Sequence, residues 1–115
     1  MRASVLLGLA LSLLVSSVLL AQSPQELYQR ALVEEHASGN LGEAIKLYAQ
    51  AAKAAGNDRT LAAKALIRGA LCQEKLGRSS EAAESYAEVV RAYPEQRAEI
   101  SIAQDRLKRL MQALP

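Results

Sequence analysis

The sequence predicts an all-α domain that follows an apolar leader. From Gln22 onward, apolar residues recur at helical spacing, turn residues separate the segments, and nothing reads as a strand. These 94 residues include 19 Ala, which favours closely packed helices because Ala has the highest helix propensity and is depleted in strands. A length of 94 residues suffices for one small domain. The composition disfavours a β-sandwich, a disulfide framework, a multi-span membrane protein and a large enzyme.

The leader has the pattern of a secretory signal. Arg2 precedes an apolar run over residues 5–20, and the small residue Ala21 follows it. We expect a signal peptide over residues 1–21, cleaved after Ala21, and an exported, periplasmic domain. The alternative is an uncleaved inner-membrane anchor, since the apolar run falls just short of the roughly 20 residues that span a bilayer.

Two helices are expected in the first part of the exported chain. The first begins at Ser23-Pro24, where Ser23 can cap the helix and proline suits the first helical position. It stops at Ser38-Gly39-Asn40, and Asn40 is a plausible cap for the second helix. The apolar positions of these two helices include Leu27, Tyr28, Ala31, Leu32, Leu41, Ala44, Ile45, Tyr48 and Ala51.

Three further helices follow the break at Gly56-Asn57-Asp58. The third ends at Gly77 and the fourth at Pro94, and the fifth begins after Glu95-Gln96. Their apolar positions are Ala62, Ala65, Leu66, Gly69, Cys72 and Leu76, then Ala82, Ala83, Tyr86, Val89, Val90 and Tyr93, then Ile100, Ala103, Leu107, Leu110 and Leu114.

A helix-turn-helix unit recurs along the chain. Three pairs of residues lie 38 positions apart: Gly39 and Gly77, Ala44 and Ala82, Tyr48 and Tyr86. Gly permits the tight turn, Ala permits close approach of two helices, and Tyr fills the space between them. This spacing, with Pro94 after the second unit, resembles the tetratricopeptide repeat.

The resemblance implies a TPR-like α-solenoid of two units, about 24–57 and 58–94, and a closing helix of about 96–114. The usual repeat is shorter, at about 34 residues, and the extra length falls around positions 56–60. The usual phase, applied to the last helix, places Ile100, Ala103, Leu107 and Leu110 in the core. The family's first-helix positions fall at Tyr28, Ala31-Leu32 and Glu35 in one unit and at Leu66, Gly69-Ala70 and Gln73 in the next. The stretch 65–96 looks most like repeats of bacterial envelope proteins, such as the TolA-binding cell division coordinator and outer-membrane assembly lipoproteins.

The resemblance also implies a groove on the first helices of the units that binds a peptide segment. Carried over by position, the groove candidates are Gln29, Val33, His36, Lys64, Ile67, Leu71, Glu74, Lys75, Ser101, Asp105 and Lys108. The set is mixed in charge, and a basic clamp for a terminal carboxylate is missing from it.

No catalytic, metal-binding or cofactor-binding pattern is evident in the sequence. His36 is the only His and is expected on the polar side of the first helix beside Glu35, so one chain cannot supply a two-His metal site. The single Cys72 is expected in the core, with an intermolecular disulfide as the alternative. Glu81, Glu84 and Glu88 have the spacing of a solvated helix stripe. No cofactor and no small-molecule substrate is expected.

The expected function is therefore an exported protein–protein interaction adaptor or scaffold of the bacterial cell envelope. Without the leader, 13 Lys and Arg face 12 Asp and Glu, which gives no reason to expect nucleic-acid binding. The alternatives are a self-associating structural module, such as a homodimer, and the recognition head of a once larger multidomain protein.

Overall fold

The computed structural model describes residues 22–114 and contains five α-helices. They are α1 (Pro24–His36), α2 (Leu41–Ala54), α3 (Arg59–Lys75), α4 (Ser79–Ala92) and α5 (Arg97–Ala113). Within residues 22–114 there is no strand, so the prediction of an all-α class is confirmed for this range. The signal segment predicted over residues 1–21 lies outside the described residues. Across the described range, no helix combines the length and apolar character needed to cross a membrane.

Side-chain caps and glycines set the helix boundaries. Ser23 Oγ accepts a hydrogen bond of 3.1 Å from the Glu26 amide, and Asn40 Oδ1 accepts one of 3.1 Å from the Glu43 amide, as the sequence predicts. Asp58 Oδ1 caps α3 in the same way. Gly39 and Gly77 follow α1 and α3 with φ of 66° and 75°, a conformation that residues with a Cβ avoid.

The five helices form two layers. Each helix packs against the next along the chain, and α1 also contacts α3, as α3 contacts α5. The two second helices, α2 and α4, are not in contact with each other. As a result α1, α3 and α5 lie side by side and share one surface, which we call the α1–α3–α5 face.

Two apolar clusters form the core, and α3 contributes to both. Tyr48 is fully buried in the first cluster and Tyr86 in the second. Most of the surrounding residues are small, which permits close helix approach. Together with these tyrosines, the buried members are Leu27, Ala31, Ala44, Leu47, Ala51, Ala65 and Cys72 in the first cluster and Ile67, Ala70, Ala82, Val89 and Ala103 in the second.

The repeat phase of α5 differs from the one that the resemblance implies. Helices α3 and α5 each have 17 residues, and they begin at Arg59 and Arg97. The two helix starts lie 38 positions apart in sequence, the same offset as between Tyr48 and Tyr86, and we call this offset the long repeat phase. Ala65 and Ala103, related by the same offset, are both fully buried. Of the apolar positions predicted for α5, Ala103 is fully buried in the second cluster, and three half-buried residues pack against it: Ile100, Leu107 and Leu110. The fifth, Leu114, is exposed, at the carboxyl end of the helix.

The turn after α1 contains one residue more than the turn after α3. The Asn40 amide donates to the carbonyl of Glu34, six positions earlier, whereas the Arg78 amide donates to the carbonyl of Gln73, five positions earlier. The wider turn shifts the register between α1 and α3 by one further position. Glu35 therefore corresponds to Glu74, and not to Gln73 as a uniform spacing implies.

Candidate functional site

The α1–α3–α5 face contains a cavity of about 290 Å³ that spans all three helices. Lys64, Ile67 and Leu71 follow one another at helical spacing along α3, so their side chains reach the same surface. The remaining lining comes from Tyr28 of α1, Arg68 of α3, and Glu99 and Ile102 of α5. The rings of Tyr28 and Tyr48 pack edge to face with 5.6 Å between their centroids, so the Tyr28 wall of the cavity rests on the core.

The cavity combines aliphatic and charged side chains. Ile67 is 4% exposed and belongs to the core, while Leu71 is half-buried and Ile102 is 43% exposed. Among residues 22–114, neither Lys64 nor Glu99 takes part in an ion pair. Each therefore keeps its charge available to a molecule that covers the cavity.

A buried carboxylate lies at the carboxyl end of α1. The Glu35 side chain is 2% exposed, although the sequence places this residue on the polar side of the helix. The Tyr48 hydroxyl donates a hydrogen bond of 2.6 Å to Oε1 of Glu35. Nη2 of Arg68 lies 3.2 Å from Oε1 and 3.3 Å from Oε2, and Nζ of Lys75 lies 3.4 Å from Oε2. Glu35 thus joins α1 to α2 and to α3.

These donors determine the charge state of Glu35. Burial acts to raise its pKa, but the hydrogen bond from Tyr48 and the positive charge of Arg68 together outweigh that effect. The pKa of Glu35 therefore lies below its ordinary value. His36, whose side chain is 57% exposed, adds an Nε2 that contacts Nη2 of Arg68 and lies 3.7 Å from Glu35 Oε1.

The same arrangement recurs one unit later. The Tyr86 hydroxyl donates to Glu74, and Arg106 donates to it from Nε at 2.9 Å and from Nη2 at 2.6 Å. Burial acts to raise the pKa of Glu74, but these donors outweigh it, so the pKa again lies below its ordinary value. Arg106 follows Arg68 at the same offset that separates Tyr86 from Tyr48.

These two Tyr–Glu–Arg clusters favour a structural role over proton transfer. A general acid at neutral pH needs a raised carboxyl pKa, and here both carboxyl pKa values are lowered. Each carboxylate is also surrounded by donors from two neighbouring helices. The clusters hold α1 against α3, and α3 against α5, and so fix the shape of the face between them.

The predicted groove residues are divided among several places. Lys64, Ile67 and Leu71 do line the cavity, although little of Ile67 is accessible. Lys75 belongs to the Glu35 cluster, and His36 adjoins it. Glu74 is the carboxylate of the second cluster, so its oxygens already accept hydrogen bonds from within the protein. Gln29 and Val33 line a separate cavity of about 370 Å³ on α1.

The three predicted residues of α5 lie apart from the cavity lining. Lys108 lines a cavity next to Val90, between α4 and α5. Ser101 and Asp105 are exposed, and Asp105 pairs with Arg109 at 3.3 Å. The repeat phase accounts for Lys108, because the long repeat phase relates Lys108 to Ala70, a core residue. It does not account for Asp105, because the same phase relates Asp105 to Ile67, which lines the cavity. Of the α3 residues that line the cavity, only Lys64 has a counterpart in the long repeat phase that also lines it, namely Ile102; Tyr28, Arg68 and Glu99 have no comparable signal in the sequence.

Cys72 has the environment expected of a core residue. It is a free thiol and is fully buried in the first cluster, and burial raises its pKa to about 11.

Within the described part of the chain, no three His, Cys, Asp or Glu side chains are grouped so that they could hold a metal ion. Comparison with protein-family models, with curated proteins and with solved structures finds no match to this chain.

Proposed function

We propose that this chain is an exported protein–protein interaction adaptor of the bacterial cell envelope. In this proposal, α1 to α4 are two TPR-like units of an α-solenoid, α5 closes the array, and the α1–α3–α5 face binds a peptide segment of a partner protein. The resemblance of the repeat spacing supports the array, and the leader supports export. No cofactor, small-molecule substrate or nucleic acid is part of the proposal.

The observation that carries the proposal is the cavity on the α1–α3–α5 face. It offers an aliphatic surface together with two charged groups that lack partners among the described residues, Lys64 and Glu99. Its volume of about 290 Å³ is at the lower limit of small-molecule sites, which span roughly 300–1,000 Å³. A surface site of this size suits one or two side chains of a polypeptide better than it suits an enclosed ligand.

The Tyr–Glu–Arg clusters support the same function. A surface that is rigid before binding loses less conformational entropy when a partner docks, and so retains more of the contact energy as affinity. Glu35 and Glu74 join the three helices that build the face, each through donors on two other helices. The spacing of the helices is thus set before any partner arrives.

The proposal is tested by affinity capture from envelope extracts. The chain, produced with its own leader and a carboxyl-terminal tag, serves as bait beside two variants. Ile102→Asp places a charge in the cavity, and Val33→Asp places one at a side chain that is 55% exposed outside it. We expect a partner that is recovered with the wild type and Val33→Asp and lost with Ile102→Asp. Recovery of no partner above background would count against the adaptor function.

Self-association is the second candidate, and exposed apolar residues at the end of α5 favour it. Met111 is 68% exposed and Leu114 is 66% exposed, beside cavities of about 460 and 240 Å³. The long repeat phase argues against self-association through α5. It places the polar residues Gln104 and Lys108 where α3 has Leu66 and Ala70, which pack in the second core cluster, and these two positions suit a solvated cap. Sedimentation over a range of concentrations distinguishes the two candidates.

A further inference from the structure

The ionic groups around the cavity fall into two classes. Arg68 pairs with Glu35, a carboxylate that Lys75 also contacts, and Arg106 pairs with Glu74. Lys64 of α3 and Glu99 of α5, by contrast, make no ion pair with any residue in the range 22–114. The cavity therefore presents one positive group without an ion-pair partner in this range, Lys64 on α3, and one such negative group, Glu99 on α5.

We infer that the cavity binds a peptide segment in which an aliphatic side chain lies between an acidic and a basic residue. The acidic residue pairs with Lys64, the basic residue pairs with Glu99, and the aliphatic side chain enters the cavity between α3 and α5. This inference deepens the proposed function and rests on it, since it states the chemistry of the segment that the adaptor recognises.

The need for both charges follows from desolvation. A ligand that covers the cavity removes water from Lys64 and from Glu99, and a charge that loses water without gaining a partner costs free energy. A purely acidic segment, or a nucleic-acid backbone, leaves Glu99 without a partner and places like charges together. A purely basic segment leaves Lys64 without a partner and brings positive charges together there. Only a segment with both signs satisfies both groups.

The aliphatic residue follows from the lining. Leu71 and Ile102 present partly exposed aliphatic surface, and Ile67 closes the floor. The side chain of a leucine or isoleucine removes this surface from water and introduces no polar atom that lacks a partner. The volume of about 290 Å³ limits the insertion to one or two side chains.

Selection from a random dodecapeptide display library tests the inference. The full chain is the target, beside Lys64→Glu and Glu99→Lys. Two control charge reversals, Lys46→Glu on α2 and Glu84→Lys on α4, change exposed residues outside the cavity. Circular dichroism establishes that all five proteins are equally helical before selection.

We expect wild-type selections to enrich peptides that carry an aliphatic residue between one acidic and one basic residue. Lys64→Glu should exchange the preferred acidic residue for a basic one, Glu99→Lys should do the reverse, and both controls should keep the wild-type preference. A peptide from the wild-type selection, measured by fluorescence anisotropy, should bind Lys64→Glu about five-fold more weakly, which is the upper range for one exposed ion pair.

Two other results contradict the inference and are distinguishable. Enriched peptides whose charges do not respond to Lys64→Glu or Glu99→Lys overturn the assignment of these residues and leave peptide binding by the chain intact. Failure of every selection to enrich any peptide overturns the inference together with the peptide-binding function on which it rests.

Discussion

The hydroxyl of Tyr48 donates a hydrogen bond of 2.6 Å to Oε1 of Glu35, a carboxylate whose side chain is 2% exposed. Tyr86 has the same relationship to Glu74 one unit later. In each unit, then, the tyrosine of the second helix fills the core with its ring and stabilises a carboxylate by a hydrogen bond from its hydroxyl. The ring and the hydroxyl can be tested separately.

Removal of the hydroxyl alone should destabilise the protein. We expect Tyr48→Phe to lower the free energy of unfolding by about 1.5 kcal/mol, the usual range for a hydrogen bond to a charged group, and Tyr48→Ala to lower it by about 3 kcal/mol. Urea denaturation followed by circular dichroism measures both. Tyr28→Phe is the control, because in residues 22–114 the Tyr28 hydroxyl makes no hydrogen bond; its effect should stay below about 0.5 kcal/mol. Equal effects of the two Phe variants would contradict this role of Tyr48.

Stability should fall in acid because the pKa values of Glu35 and Glu74 are lowered in the folded protein. Burial opposes this shift, and the tyrosine and arginine donors outweigh it. An unfolded carboxyl takes up its proton near pH 4.5, whereas the folded one does so at lower pH. Between these values the unfolded state binds more protons, so the stabilisation is complete above pH 4.5 and is lost as the pH falls through the folded pKa values.

The acid dependence is measured by urea denaturation between pH 7 and pH 3. The double variant Glu35→Gln/Glu74→Gln should be less stable than the wild type at pH 7 and should lose less stability on acidification. If both proteins show the same slope below pH 4.5, other carboxyls cause the acid sensitivity and the assignment to Glu35 and Glu74 is wrong.

Cys72 should be inert in the folded protein. The thiol is fully buried, and burial raises its pKa to about 11, so little of the reactive thiolate is present or accessible at pH 8. We expect maleimide labelling at pH 8 to be slow for the folded chain and fast in denaturant. A dimer band on a non-reducing gel of freshly folded protein would instead show that Cys72 forms an intermolecular disulfide.

Two glycines should respond to alanine in opposite directions. A Cβ at Gly69, inside α3, meets Tyr48 Cβ at 3.5 Å, an ordinary contact, so Gly69→Ala should stabilise the helix by about 0.5–1 kcal/mol. Gly77 has open space around it but a φ of 75°, so Gly77→Ala should cost about 1–2 kcal/mol. Thermal denaturation compares the two variants. A destabilised Gly69→Ala would show that α3 and α2 approach more closely than an alanine tolerates.

Local patterns predict the helices, and the relationships between distant residues are harder to read. Ser23 and Asn40 identify helix starts because a cap and its amide are close in sequence. Tyr48 and Tyr86 are found because the repeat places them at the same position. Arg68 and Glu35 are far apart in sequence, and the extra residue after α1 conceals that Glu35 corresponds to Glu74. The same limitation separates the predicted Lys108 from the observed Ile102, since α5 follows the long repeat phase and not the shorter one of the family.

The coupling between Glu35 and Arg68 should be strongly non-additive. Arg68→Met alone leaves a buried carboxylate with fewer donors, a defect that costs about 2 kcal/mol once the partial exposure of Arg68 is considered. In Glu35→Gln/Arg68→Met the buried charge is gone, and the glutamine oxygen can still accept the Tyr48 hydrogen bond. We therefore expect the double variant to be at least as stable as Arg68→Met, so that the two single effects do not add.

The exposed pair Asp105–Arg109 is the matched control for this cycle. Its side chains are 58% and 65% exposed and its 3.3 Å contact is between neighbours on one helix, so its coupling should stay below about 0.5 kcal/mol. Urea denaturation at pH 7 gives all the free energies of unfolding that the two cycles require. If the Glu35–Arg68 coupling is as small as that of the control pair, water reaches the cluster in solution, and the clusters do not fix the spacing of α1, α3 and α5.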